Sequence, residues 1–226
     1  MHTFIQKHRL FVIAVALLWL KMYIVHRFFF DLQVENILQE ILVFINSASS
    51  ILILCGVSLL FSANIRNKII IGLSVLTSII LFANLVYYRF FSDFITLSVL
   101  FQTNNASDLG SSILTLIHPA DIFLFTDVIV LIIIAKLFDN QENRVSKKQI
   151  VSIFAVGIVM FAFNLGLSEI DRPQLLTRSF DRTMIIKNIG ILNYHVYDMT
   201  LQSKVSAQKV FAESGRINEV EEFVKE

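Results

Sequence analysis

The sequence predicts an all-α polytopic membrane protein with five transmembrane helices, interfacial amphipathic helices and a helical extracellular tether. Hydrophobic residues make up 55% of the 226 residues and the mean hydropathy is +0.69. Soluble domains have only about 45–50% apolar residues. Apolar segments near the ~20 residues that cross a bilayer recur along the chain, separated by polar and basic residues. A net charge of +1 gives no support to a nucleic-acid partner.

The first two predicted spans cover residues 10–30 and 48–63. Between them, residues 34–46 alternate apolar and polar side chains at helical spacing, which predicts an amphipathic helix lying in the outer interface. The alternative is that this segment is the outer end of the second span. The first span follows a basic flank that includes Arg9, as is typical of a cytoplasmic end.

Three further spans are predicted at residues 69–88, 121–137 and 150–167. The third ends in Tyr87, Tyr88 and Arg89, which is typical of an aromatic belt beside lipid head groups. Residues 1–168 therefore form a five-span transmembrane domain, and residues 169–226 are an extracellular juxtamembrane segment and linker.

The distribution of basic residues predicts the orientation of the chain, since cytoplasmic flanks are enriched in lysine and arginine. The predicted outer side has Lys21, Arg27 and Arg89. The predicted cytoplasmic side has Lys7, Arg9, Arg66, Lys68, Lys136, Arg144, Lys147 and Lys148. The amino terminus is therefore expected on the cytoplasmic side of a bacterial plasma membrane, and five crossings place the carboxyl end on the outer side.

Two ionisable residues, Lys21 and Asp127, fall within predicted spans. Lys21 is ~18 Å along a helix from Arg9, and Asp127 is ~9 Å below Asp121, so both lie at a similar depth in the outer half of the bilayer. A charge at that depth is costly unless it is paired, which predicts an ion pair between them. The alternative for Lys21 is that it extends towards the outer head groups.

Charged residues also concentrate in two segments at the predicted outer interface. Arginine binds phosphate through two parallel hydrogen bonds, so a phospholipid head group is a plausible ligand. The alternative is that the charges neutralise one another and fix the chain as it leaves the membrane. The residues are Arg89, Asp93, Asp171, Arg172, Arg178 and Asp181.

These two segments carry a family resemblance. Residues 87–94 (YYRFFSDF), residues 171–181 (DRPQLLTRSFD) and Tyr197-Asp198 resemble the membrane domain of the lipoteichoic acid synthase family. The resemblance implies a polyglycerolphosphate synthase or primase of a Gram-positive bacterium, which uses phosphatidylglycerol as donor. It also implies a separate extracellular glycerophosphotransferase domain with a metal-assisted threonine nucleophile, which needs manganese or magnesium.

No position of this chain matches the catalytic threonine or the metal-ligand motifs of that domain. We therefore predict no catalytic residue, metal ligand or cofactor within residues 1–226, and we expect this chain alone to be inactive. The resemblance further implies a signal-peptidase cleavage between the membrane and catalytic parts. The predicted bond lies between Ala212 and Glu213, and Val205-Ser206-Ala207 is the competing candidate.

The leading functional prediction is a membrane anchor, and possible phosphatidylglycerol-handling domain, for a lipoteichoic acid synthase-like glycerophosphotransferase. Its partners would be the lipid and its own extracellular catalytic domain. Two alternatives belong to other classes. One is a small transporter or flippase that uses Lys21 and Asp127 as a coupling pair, and the other is a scaffold that recruits cell-envelope synthesis proteins.

Overall fold

The computed structural model describes residues 8–30, 32–101, 115–137, 145–178 and 181–225. Within these ranges, the side chains of residues 100, 101, 178 and 210–225 are not described. All regular secondary structure in the described ranges is helical. The helices, numbered in chain order, are α1 Arg9–Ile24, α2 Ile37–Gly56, α3 Ala63–Phe91, α4 Leu97–Phe101, α5 Thr126–Leu137, α6 Lys147–Asp171, α7 Leu175–Arg178, α8 Arg182–Ile189 and α9 Ile191–Lys225.

Short stretches of other helix types extend α1, α2 and α5. A π-helical turn, Val25–Phe29, continues α1, and a 3-10 turn, Val57–Leu60, continues α2. With these extensions, four helical segments of the described chain are long and apolar enough to cross a membrane: Arg9–Phe29, Ile37–Leu60, Ala63–Phe91 and Lys147–Asp171. The chain is thus an all-α polytopic membrane protein.

The predicted fourth span is shorter as an α-helix than expected. A 3-10 helix, Pro119–Phe125, precedes the 12 residues of α5. Asp121 Oδ2 accepts a hydrogen bond from the His118 backbone N–H at 2.9 Å, which fixes this start. Residues 138–144, which follow α5, lie outside the described ranges. The total of five crossings therefore stays a prediction.

The predicted separation of an interfacial helix at residues 34–46 from a span at residues 48–63 is not observed. The helix α2 begins after the N-cap residue Asn36 and continues without a break past residue 46 to Gly56. Polar residues in the middle of α2 are buried in the bundle and bonded within it. Ser50 Oγ, for example, donates to the backbone oxygen of Asn46 at 2.8 Å. The alternative, in which this segment is the outer end of the second span, is the one observed.

Helices α1, α3 and α6 run in one direction and α2 runs in the opposite one, which brings the helix ends together at two faces. We call one the exit face, where α1 finishes at Phe29, α2 begins and α6 ends at Asp171. We call the other the basic end, where α1 begins at Arg9 and α6 begins at Lys147. The tightest pairing is between α2 and α6 at Gly157, where a Cβ atom would lie 2.7 Å from the Ile53 side chain.

The segment after the last long helix belongs to the same core as the bundle. Five of its apolar side chains are buried within the cluster that includes the core residues of α1: Ile185, Ile186, Ile189, Ile191 and Tyr194. The boundary predicted after residue 168 therefore does not separate two packing units. Only from Met199 onwards are most described α9 side chains exposed, so the projecting tether starts within α9.

Candidate functional site

The structure brings together Lys21 and Asp127, the two ionisable residues predicted within spans. Lys21 Nζ donates to Asp127 Oδ2 at 2.7 Å, and the two side chains are 9% and 5% exposed. Lys21 also donates to Ser78 Oγ at 2.7 Å and to the Leu124 backbone oxygen at 3.4 Å. Ser74 Oγ donates to the same Asp127 oxygen at 2.6 Å. The pair therefore links α1, α3 and the start of α5.

The ammonium group of Lys21 has an acceptor for each of its three hydrogens, so its charge is compensated locally. The other oxygen of Asp127, Oδ1, is buried without a hydrogen-bond partner in the described part of the chain. An ion pair that is this enclosed, and bonded to two serines of a neighbouring helix, acts as a structural link between three helices.

Arg89 forms an ion pair with Asp121, whereas the sequence analysis placed it in a charged cluster that binds a lipid head group. Its guanidinium donates to both carboxylate oxygens of Asp121, at 2.6 and 2.7 Å, and to the Leu116 backbone oxygen at 2.9 Å. Asp121 is 2% exposed. This bidentate pair joins the end of α3 to the segment that precedes α5. Sequence reasoning missed Asp121 as a partner, although an acid three residues after His118 at a helix start is a capping pattern.

Asp93 forms its ion pair with Arg182, which sequence reasoning also missed. The side chains of Asp93 and Arg182 are 34% and 42% exposed, so this pair faces the surroundings at the exit face. Asp93 Oδ1 additionally accepts from the backbone N–H of Phe94 at 2.8 Å. Asp181 caps α8 by accepting from the Met184 N–H at 3.2 Å, which places Arg182 in the first turn of that helix.

Asp171, another residue of the predicted head-group cluster, also has a partner outside the predicted set. Its Oδ1 accepts from Gln39 Nε2 at 3.1 Å, which joins the end of α6 to the start of α2. Arg172 is exposed, and Arg178 lies in α7 with a side chain that is not described. Of the five predicted residues whose side chains are described, three thus pair with residues outside the predicted set.

A set of buried hydrogen bonds docks α8 and the start of α9 onto the exit face. His26 Nδ1 donates to the Met22 backbone oxygen at 2.6 Å, and its Nε2 accepts from the Ile191 N–H at 3.1 Å. This pattern requires the neutral ring with its proton on Nδ1. Asn46 Nδ2 donates to the Lys187 backbone oxygen at 3.0 Å. Sequence reasoning had placed none of these residues in a site.

The backbone between α8 and α9 depends on glycine. Gly190 has φ = 79° and ψ = 157°, a combination that is essentially restricted to glycine. A Cβ atom there would lie 3.0 Å from Asn46 Oδ1. Lys187 is 2% exposed, and its Nζ donates to the Gln33 backbone oxygen at 3.2 Å. This bond is a further contact between α8 and the rest of the bundle.

The first turns of α9 continue this docking. Asp198 Oδ2 accepts from the Leu97 N–H at 2.6 Å, and Tyr197 Oη donates to the Leu176 oxygen at 2.6 Å. Burial lowers the pKa of His195, and the nearby Asp198 carboxylate only partly opposes that change. His195 is therefore neutral at pH 7, and its Nε2 accepts from Asn84 Nδ2 at 3.1 Å. Burial likewise raises the pKa of Tyr194, with a further contribution from Asp198.

The predicted cleavage site lies in the tether. Ala212 and Glu213 fall within α9, as does the competing segment Val205-Ser206-Ala207. The side chains of Ala212 and Glu213 are not described, and cleavage there stays a prediction. Among the residues that the structure describes, no three His, Cys, Asp or Glu side chains are grouped as a metal site requires.

Comparison with known proteins agrees with this architecture. The model of the lipoteichoic acid synthase N-terminal domain family matches residues 1–211. The chain belongs to this family. It is therefore related to lipoteichoic acid synthases. No solved structure gives a significant match to the chain.

Three relatives illustrate how far the family similarity extends. Lipoteichoic acid synthase 2 of Bacillus subtilis (strain 168) is 43% identical over 100% of this chain and 35% of its own length. Lipoteichoic acid synthase 1 of the same organism is 36% identical over 97% of the chain and 35% of its length. Lipoteichoic acid synthase of Staphylococcus aureus (strain USA300) is 31% identical over 96% and 34%. The chain thus spans about a third of the length of these relatives.

Proposed function

We propose that this chain is the membrane part of a lipoteichoic acid synthase, in which it anchors an extracellular glycerophosphotransferase domain and holds phosphatidylglycerol close to it. The amino terminus then faces the cytoplasm and the exit face is extracellular, in keeping with the basic residues at the opposite end. Family membership, and relatives about three times as long as the chain, support the anchoring role.

The docking of α8 and α9 is the observation that carries this proposal. A flexible linker would leave a following domain free to move away from the lipid surface. Here the exit segment is held at four buried side chains, those of His26, Asn46, Lys187 and Asp198. The tether helix therefore leaves the membrane from a fixed position, which keeps a following domain at a set place relative to the lipid head groups.

Lipid handling is assigned to the exposed pair at the exit face. Arg89 uses three N–H groups for Asp121 and the Leu116 oxygen and is only 19% exposed, so it is a weaker candidate for a phosphate ligand. Arg182 uses one terminal nitrogen for Asp93 and is 42% exposed, which leaves guanidinium N–H groups for a head-group phosphate. Arg172 is exposed on the same face and adds positive charge there.

Replacing Arg182 by glutamine is expected to weaken phosphatidylglycerol binding by about tenfold, because a charge-assisted hydrogen bond is lost. The measurement is native mass spectrometry of lipid adducts on the purified chain. Arg27→Gln is the matched control, since Arg27 is 35% exposed and paired with Glu40 on α2. Equal retention of phosphatidylglycerol by the two variants would remove the head-group role from Arg182.

The chain by itself is expected to release no glycerophosphate from phosphatidylglycerol, with or without manganese or magnesium. The physical reason is that metal-assisted transfer needs a nucleophile and metal ligands, which we place in the separate extracellular domain. A radiolabelled-lipid assay on residues 1–226, beside a full-length relative as positive control, checks this. Turnover by the isolated chain at a rate near that of the relative would contradict the division of labour.

A further inference from the structure

Arg66 is a buried arginine at the basic end, in the second turn of α3. It is 4% exposed and lies on the same helix face as the buried residues Ala63 and Ile70. Among the residues that the structure describes, it forms no hydrogen bond or ion pair with a side chain or backbone group through its guanidinium. The side chain is largely withdrawn from water without an acid that compensates its charge, which is unfavourable, so an anion at this position would be stabilising.

The start of α3 supplies a second group of donors at the same place. The first N–H groups of a helix have no intrahelical acceptor, and the helix dipole favours negative charge there. The N-cap residue Ser62 makes no side-chain capping bond, and the first turn contains no acidic residue. Helical side chains point back towards the N-terminus of their helix, and this geometry favours an Arg66 side chain directed towards these N–H groups.

The chemistry of these groups defines the ligand. A planar guanidinium beside a helix N-terminus is suited to a phosphate. The site lies at one end of a long apolar helix, with exposed Lys68 two residues further along and Lys147 and Lys148 at the same end of the bundle. Basic pockets between transmembrane helices on the cytoplasmic side bind anionic lipid head groups.

We propose that Arg66 and the N-terminus of α3 bind the phosphate of an anionic phospholipid in the leaflet at the basic end. This lipid is structural and distinct from the one at the exit face, because the two sites lie at opposite ends of the bundle. It provides the counter-charge that Arg66 lacks and ties the start of α3 to the membrane surface. The inference does not depend on the proposed function.

The test compares thermal unfolding of the chain in phosphatidylcholine nanodiscs with and without phosphatidic acid. Phosphatidic acid is expected to raise the Tm of the unsubstituted chain, and Arg66→Gln is expected to abolish most of that rise. The control Arg27→Gln at the exit face should retain it, because Arg27 pairs with Glu40 and belongs to neither proposed lipid site. A rise that Arg66→Gln keeps in full, or no rise in the unsubstituted chain, would overturn the proposal.

Two further measurements complete the test. Inorganic phosphate added to phosphatidylcholine nanodiscs should give no comparable rise in Tm, and an equal rise would assign the site to a free anion rather than a lipid. If Arg66→Gln fails to fold, native mass spectrometry of the unsubstituted chain and of Arg66→Lys replaces it. The site is supported if the unsubstituted chain retains phosphatidic acid and Arg66→Lys retains it roughly tenfold more weakly. Lysine keeps the positive charge but cannot form the two parallel hydrogen bonds of a guanidinium with a phosphate. Equal retention opposes it.

Discussion

Replacing Asp127 by leucine while Lys21 is retained is expected to lower the free energy of unfolding by about 3–5 kcal/mol, the usual effect of breaking a buried ion pair. The variant leaves the Lys21 ammonium, which is 9% exposed, with only neutral acceptors. Reversible denaturant unfolding of the purified chain in detergent measures the loss. Lys136→Met is the control, since Lys136 is an exposed cation at the other end of α5.

The double variant Lys21→Met, Asp127→Leu separates the pair's own contribution from the cost of an orphaned charge. Substitution of both partners by apolar residues of similar volume is often neutral or stabilising. We therefore expect the double variant to recover most of the stability that Asp127→Leu loses. If the stability loss of the double variant equals the sum of the losses of the two single variants, Lys21 and Asp127 do not interact. The link between α1, α3 and α5 would then be without support.

Replacing Gly190 by alanine is expected to lower the free energy of unfolding by about 2–4 kcal/mol. About 1–3 kcal/mol comes from a side chain at a positive φ, and roughly 1 kcal/mol from the Asn46 hydrogen bond to Lys187 that the new methyl group displaces. The Cβ atom would lie 3.0 Å from Asn46 Oδ1, so Asn46 has to move. Denaturant unfolding measures the total loss, and hydrogen exchange of α8 shows where it arises.

Gly166→Ala is the matched control for this substitution. Gly166 lies in α6, and a Cβ atom there meets nothing within 4 Å. We expect alanine at this position to be neutral or to stabilise the helix by up to about 1 kcal/mol, since glycine is a poor helix former. If Gly190→Ala behaves like Gly166→Ala, with unchanged exchange protection in α8, the docking of α8 does not depend on the turn at Gly190.

The two intramembrane ionisable residues show what can be inferred from sequence about this protein. Lys21 and Asp127 were identifiable because a charge inside an apolar segment is rare and needs a partner at the same depth. The number of residues between each charge and the end of its helix gives the expected depth. The pairing of the two side chains could therefore be predicted from positions along single helices. The same reasoning found segments that overlap all four long helices of the described chain, although it began the second span at residue 48, whereas α2 begins at Ile37.

The charges at the exit face show where that reasoning fails. Arg89 had several acids within reach in sequence, and its choice of Asp121 depends on how the ends of α3 and α5 meet. Arg182 was missed because it lies in a short helix that is too polar to be a span. The docking of α8 was missed because its isoleucines fill a space that exists only once the helices have packed.

The sequence by itself determined the membrane class, the family, the approximate positions of three of the four long helices and the pairing of Lys21 with Asp127. These depend on local hydrophobicity and on residue counts along single helices. Only the tertiary structure decided the partners of Arg89, Asp93 and Asp171, the continuity of α2, the docking of α8 and α9, and the burial of Arg66. Each of these depends on contacts between segments far apart in the chain, whose relative positions are set by side-chain packing across the whole bundle.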